Sequence, residues 1–214
     1  MALTVLITGF GPFPGAPVNP TEALVRRLGR RRPAFNDVRL VTHVFATRYH
    51  AVDRDLPRLL AQYRPDIVLM FGLAARRRHI SIETRARNAM SGLFPDASGR
   101  LGARFVIVPA GPAALAFPPW VRRLLRPARA ARLKAKLSHD AGRYVCNYLC
   151  WRALEAANRA NGPLVAFIHV PKVQRGLLPR RQGMRRTFTL DSLVWAGEAI
   201  LLASVAEARR PRRA

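Results

Sequence analysis

Three side chains in this sequence are of the types that together perform nucleophilic acyl transfer: Cys146, His169 and Glu83. Cys146 falls in the run Ser138-His139-Asp140-Ala141-Gly142-Arg143-Tyr144-Val145-Cys146-Asn147, where small and polar residues lead into an apolar helical repeat. That spacing puts the thiol in the first turns of a helix. The free N–H groups and partial positive charge of a helix start favour a thiolate and could hold an oxyanion. His169 sits in Phe167-Ile168-His169-Val170-Pro171, the carboxyl end of an apolar strand-like run, a position that faces a cleft. Glu83 sits in Ile80-Ser81-Ile82-Glu83-Thr84, a carboxylate among strand-like apolar positions in a chain with only 12 acidic residues. A thiol nucleophile needs an imidazole within hydrogen-bond reach, and that imidazole needs an acceptor to orient it.

Each residue also has a plainer reading. A free cysteine is commonly a small buried hydrophobe, a histidine can be satisfied inside a core, and Glu83 has many arginines with which to pair. His43, His50, His79 and His139 are rival imidazoles, and Cys150, one helical turn beyond Cys146, reads as core. Local pattern leaves these alternatives open.

The elements that must position these groups alternate between strand and helix. Residues 3–8 read as a buried strand, 12–20 as a proline-rich loop and 21–31 as a helix with Asn19 or Thr21 near its cap. Strands follow at 38–45 and 66–72, with a helix at 49–63 between them. The partly alternating stretch 79–87 reads as one strand, 103–108 as a short apolar segment, 118–129 as a helix and 133–137 as a strand. A long helical segment covers 141–161, a strand 164–170, a loop 171–186 and an amphipathic helix 189–208. This alternation predicts an α/β fold: a single three-layer α/β/α domain over 1–208 with a mainly parallel central sheet, and a basic, frayed tail at 209–214. Sites in such folds gather at the carboxyl ends of strands, where Gly9–Phe13, Gly72 and His169 are all expected.

Composition narrows the function classes. The 214 residues suit one well-cored domain, and the longest apolar runs are far too short to span a bilayer. The first residues read as a strand and turn, without the basic start of a signal peptide, so a cytoplasmic protein with no membrane partner is expected. Two cysteines four apart make neither a disulfide framework nor a CxxC metal or redox motif, and no metal site is expected. The formal charge of +25 suggests an anionic partner. The basic residues are nearly all arginine, are dispersed, and include the 76–78 run. No aromatic-interleaved motif accompanies them, so they read as solvated surface and not as a specific nucleic-acid interface.

Taken together, these blocks resemble pyroglutamyl peptidase I, the pyrrolidone-carboxylate peptidase family. The resemblance starts at Leu6-Ile7-Thr8-Gly9-Phe10-Gly11-Pro12-Phe13 with Asn19-Pro20, passes through Gly72, Ile80–Glu83 and Asn88, the 138–147 block and 167–171, and ends at Phe188-Thr189-Leu190-Asp191-Ser192-Leu193. It implies a cysteine peptidase that removes N-terminal 5-oxoproline through an acyl-enzyme and needs no cofactor. Cys146 is then the nucleophile, paired with the base His169 as thiolate and imidazolium, and Glu83 is the third member. It also implies a lactam pocket with Phe10, Phe13 and Asn19, joined by Tyr144. Small N-terminally blocked peptides are the implied partners, and self-association, with tetramers in the family, is implied too.

The sequence departs from the family pattern at auxiliary positions. Leu73 stands where many members have Gln, Ala75-Arg76 where a glycine pair is usual, and Leu93 where many carry an Arg that assists the oxyanion or the peptide. Arg85 or Arg87 could substitute for it. These departures motivate two alternatives: a same-fold hydrolase with another N-terminally blocked substrate, or a catalytically weakened basic binding protein.

Overall fold

The stretches richest in Val, Ile, Leu and Phe form a sheet whose middle is buried on both faces. In the computed structural model, which describes residues 2–30, 37–101, 105–130, 132–174 and 188–211, these are β1 (Leu3–Phe10), β3 (Ile67–Leu73) and β8 (Leu164–Val170). Flanking them are β2 (Val38–Phe45), β4 (Ile80–Glu83) and β7 (Ala135–Ser138). The six-stranded order is β2-β1-β3-β8-β4-β7. Pairing is parallel except between β4 and β8, which run antiparallel. β2 is only partly buried over most of its length, as expected of an edge strand.

Two glycines show how the helices divide between the faces. A Cβ on Gly9 of β1 would strike the Thr21 carbonyl and Val25, which belong to α1 (Pro20–Gly29). A Cβ on Gly72 of β3 would strike Cys146, which belongs to α4 (Val145–Ala157). Thr8 and Met70 are register partners, and strand side chains alternate between faces. Gly9 and Gly72 therefore point to opposite sides. α1 packs with α5 (Leu190–Ala208) on one side, and α4 packs with α2 (Tyr49–Tyr63) on the other. The expected α/β/α layering with a mainly parallel sheet is what the chain forms.

Several boundaries differ from expectation for local reasons. The stretch 79–87 is two strands, because the chain leaves the sheet at Thr84. The Thr84 N–H donates to the Ser138 carbonyl at 2.8 Å, and the Thr84 carbonyl accepts from Phe117 N–H at 2.9 Å. β5 (Arg85–Arg87) then pairs antiparallel with β6 (Ala114–Ala116) as a separate ribbon. The Ala-Leu-Ala of β6 carries no strand propensity to announce it. The 118–129 helix is a 3₁₀ stretch, Pro119–Leu124, followed by the short α3 (Leu125–Ala128), a segment punctuated by Pro118, Pro119 and Pro127. The segment 103–108 is not a strand at its described residues, 105–108. α4 starts at Val145, after a turn in which Gly142 has φ +83°.

α5 is capped by Thr189 and Ser192 in a reciprocal box. It leaves Trp195 63% exposed, so it is less cleanly amphipathic than its pattern suggests. Arg209, expected in a frayed tail, donates to Asp37 at 2.6 Å, and Arg210 pairs with Glu207 at 3.1 Å. The loop expected at 171–186 lies outside the described residues beyond Gln174, as do residues 212–214 of the tail.

Candidate active site

The carboxyl ends of β3 and β8, the end of β4 and the start of α4 meet on the α2/α4 side of the sheet. His169 and Gly72 are register partners on adjacent parallel strands. The sulfur of Cys146 lies directly over Gly72, 2.9 Å from where a Cβ would stand, and the Phe167 ring fills the space beside it at 2.6 Å. Adjacent strands are about 4.8 Å apart. The sulfur therefore lies over the strand next to that of His169, at a position where Gly72 puts no side chain in the way. Gly72 supplies close approach, a need that its place in the sequence did not reveal.

His169 is 4% exposed and Glu83 is fully buried. His169 Nδ1 and Glu83 Oε1 are 2.8 Å apart, which leaves Nε2 as the nitrogen for other work. The Phe167 ring meets the imidazole edge-on at 4.8 Å and limits its rotation. Burial would push the Glu83 carboxyl up. The hydrogen bond and charge of His169, with the Ser138 hydroxyl and Arg77, outweigh that and hold it below the usual carboxylate range.

Cys146 differs from its sequence expectation in electrostatics. Its residue is partly exposed, yet the sulfur is desolvated. Burial, joined by the nearby Glu83 charge, pushes the thiol up to about 12 against the opposing pull of its own backbone N–H and Arg77. Desolvation thus opposes the thiolate, so the sulfur depends on a neighbouring base to take its proton. No side chain caps the start of α4 at Tyr144, so the first-turn N–H groups remain available to an oxyanion.

Three of the remaining histidines stand apart from this arrangement, while His79 lies close enough to feel the Glu83 charge. His139 Nδ1 contacts Thr84 Oγ1 at 2.6 Å, His43 faces Asp55 at 3.5 Å, and His50 is exposed. Cys150 is fully buried core, as expected.

The four residues expected around the lactam divide into two pairs. Phe13 is partly exposed and its ring lies 5.9 Å from that of Tyr144, which is also partly exposed and donates to the Pro95 carbonyl at 3.0 Å. Phe10, by contrast, is 1% exposed and packs on Phe45 in the core. Asn19 is spent on structure. Its Oδ1 accepts from Thr21 N–H at 3.1 Å as the α1 cap, and its Nδ2 donates to the Gly11 carbonyl at 3.1 Å. Neither Phe10 nor Asn19 offers a free face or atom; they shape the loop that carries Phe13.

Arg85 and Arg87, the residues expected to stand in at position 93, are both engaged by the 138–140 loop. Leu93 is 86% exposed. Arg85 Nε donates to the His139 carbonyl at 2.6 Å, and Arg87 Nε lies 3.4 Å from Asp140. Instead Arg77, which reads from sequence as one of a solvated run, donates to Glu83 Oε1 at 2.7 Å. Asn147 was likewise missed. It is fully buried, accepts from Arg87 N–H at 2.8 Å and donates to the carbonyls of Arg87 and Ala89, tying α4 to the β5–β6 ribbon. Only contacts between distant segments reveal these two roles. Among the described residues no group of three or more His, Cys, Asp or Glu could hold a metal.

Fold and site together define an α/β protein with a Cys–His–Glu constellation at the ends of its sheet strands. The chain belongs to the pyroglutamyl peptidase family, whose sequence profile matches residues 3–205. It is 31% identical to the pyrrolidone-carboxylate peptidase of Thermococcus onnurineus over 204 residues, covering 95% of this chain and 99% of that one. It is 36% identical to pyrrolidone-carboxylate peptidase 1 of Ralstonia nicotianae over 169 residues, 78% of each chain. Among solved structures, the pyrrolidone carboxyl peptidase of Thermococcus litoralis superposes with a TM-score of 0.84 at 28% identity, covering 95% of this chain and 94% of that one. Pyroglutamyl peptidase I of Bacillus amyloliquefaciens superposes with a TM-score of 0.81 at 27% identity, covering 96% and 98%.

Proposed function

We propose that this protein hydrolyses the amide bond that follows an N-terminal pyroglutamyl residue, through an acyl-enzyme on Cys146. The observation that carries the reading is the 2.8 Å Glu83–His169 pair set one strand from the sulfur over Gly72. As Sγ attacks the carbonyl of the blocked residue, His169 Nε2 takes the thiol proton. A concerted transfer suits a thiol whose ionisation is opposed by burial. The oxyanion forms against the N–H groups at the start of α4. The imidazolium, held by Glu83, then protonates the departing amine as the C–N bond breaks and a thioester remains. His169 next takes a proton from water, and hydroxide addition followed by thiolate expulsion releases pyroglutamate. The lactam stacks against Phe13 and Tyr144, while Phe10 and Asn19 fix the loop beneath.

The substrates are small N-terminally blocked peptides. We place the protein in the cytoplasm as a homo-oligomer; among the described residues no helix is long and apolar enough to cross a membrane. Hydrolysis of a pyroglutamyl amide reporter tests the function. Turnover is expected in the wild type, with loss after alkylation or in Cys146→Ser. Undiminished turnover in Cys146→Ser would overturn the assignment. The exposed Leu93 favours a second reading, a hydrolase of the same mechanism with a different blocked N-terminus. A panel of acetyl-, formyl- and pyroglutamyl-peptides separates the two by which is cleaved fastest.

A further inference from the structure

Glu83 serves two donors with one oxygen. His169 Nδ1 and Arg77 Nη1 both reach Oε1, at 2.8 and 2.7 Å. Arg77 comes from the connection between β3 and β4, and its side chain is 27% exposed. Its other terminal nitrogen, Nη2, donates to the Asp140 carbonyl. Asp140 is itself tied down: its Oδ1 accepts from Gly142 N–H at 3.0 Å and lies 3.4 Å from Arg87 Nε. Gly142 makes the positive-φ turn, and two residues later Tyr144 is the last residue before α4. A single planar guanidinium thus joins the buried carboxylate to the loop that decides where α4, and with it Cys146, begins.

We propose that Arg77 is a positioning residue of this active site, locking the Glu83 carboxylate in place and fixing it against the loop that carries Cys146. The inference rests on the reading under Proposed function and adds a fourth member to its triad. Arg suits the role because its rigid fork serves two acceptors at once, which a Lys ammonium on a flexible stem does not reproduce.

The charge of Arg77 has a consequence with a definite sign. Facing Glu83 are His169 from β8, the Ser138 hydroxyl from β7, Cys146 and Cys150 from α4, and His79 from the connection that also supplies Arg77. In that set Arg77 is the permanent cation. Removing this cation raises the proton affinity of the Glu83 carboxyl that it faces. The acid limb of activity must then move to higher pH.

The test uses the full-length chain with Arg77→Met and Arg77→Lys, measuring kcat/KM against pH on the pyroglutamyl reporter and following thermal melts. In parallel, the His169 ring resonances are titrated in ¹³C-histidine-labelled Cys146→Ser protein with and without each Arg77 change, assigned by His169→Gln. Arg77→Met is expected to lower kcat about ten- to hundredfold with KM little changed. Its acid limb and ring titration are expected to move up by roughly one pH unit. Arg77→Lys restores the limb position but not kcat. A Met variant whose limb and ring titration coincide with those of the wild type overturns the proposal, as does a Lys variant that shifts as far as Met. Should the wild type itself leave the reporter uncleaved, the parent reading fails, and the ring titration still decides the role of Arg77.

Discussion

Cys146 and Gly72 face each other across the gap between helix and strand: the sulfur stands in space that any side chain at position 72 would need. Replacing Gly72 by Ala sets a methyl 2.9 Å from Sγ and 2.6 Å from the Phe167 ring. Both contacts are closer than Cβ atoms make, so the packing of ring and thiol against β3 must shift. Overpacking of this kind costs about 1–3 kcal/mol, and a displacement of about 1 Å at a nucleophile costs about a hundredfold in rate. Gly72→Ala is therefore expected to melt as a folded protein while losing most activity. Near-wild-type kcat in that variant would contradict the placement of Cys146.

Phe10 and Phe13 stand three apart and should respond oppositely. Phe10→Ala empties a site that is 1% exposed and is expected to cost about 3–5 kcal/mol of stability. Phe13→Ala, on the open side of the loop, is expected to leave the melting temperature within a few degrees and to raise KM for the pyroglutamyl reporter several-fold. Denaturant titration and steady-state kinetics on both variants check the division; a KM effect confined to Phe10 would reverse it.

Asp96 ties its own loop to the start of α2. Its Oδ1 accepts from Ser98 N–H at 2.8 Å and Ser98 Oγ at 2.6 Å, and Oδ2 accepts from Tyr49 N–H at 3.1 Å. Burial would raise this carboxyl, but these donors and Arg100 N–H hold it below the usual range. A depressed carboxylate contributes stability that is present above its unfolded value, near 4, and is lost as pH falls through the lower folded value. Asp96→Asn is expected to cost about 2–4 kcal/mol at pH 7. The gap to wild type should narrow as pH drops below about 4, as read by unfolding curves across that range. A constant gap would show that the charge plays no part.

Asn147 follows the nucleophile directly and uses both amide ends on the backbone of Arg87 and Ala89. Truncation to Ala leaves those buried groups unpaired, at a cost of about 2–4 kcal/mol in all. Hydrogen exchange should accelerate in the β5–β6 ribbon before it does in the central sheet. Uniform acceleration across the sheet would mean that Asn147 supports the whole core and not the ribbon in particular.

Sequence alone determined the layers, and with the family resemblance it singled out Cys146, His169 and Glu83 as the candidate reacting groups. β1, β3 and β8 are recognisable because strands buried on both faces must be apolar along their whole length. Element ends have composition signals of their own, glycine and small residues before a helix and proline after a strand; these place Cys146 and His169 at such ends but leave rival readings open. Tertiary structure alone decided the supporting groups. Arg77 belongs to a run that looks like solvated surface until β4 and the 138–144 loop are folded against it. Phe10 and Phe13 cannot be told apart by residue type, since only the fold buries one in the core and leaves the other partly exposed beside Tyr144. The thiol's reluctance to ionise also has no sequence signature. Burial and the field of Glu83 set it, and both arise from segments brought together by the fold and not by neighbours in the chain.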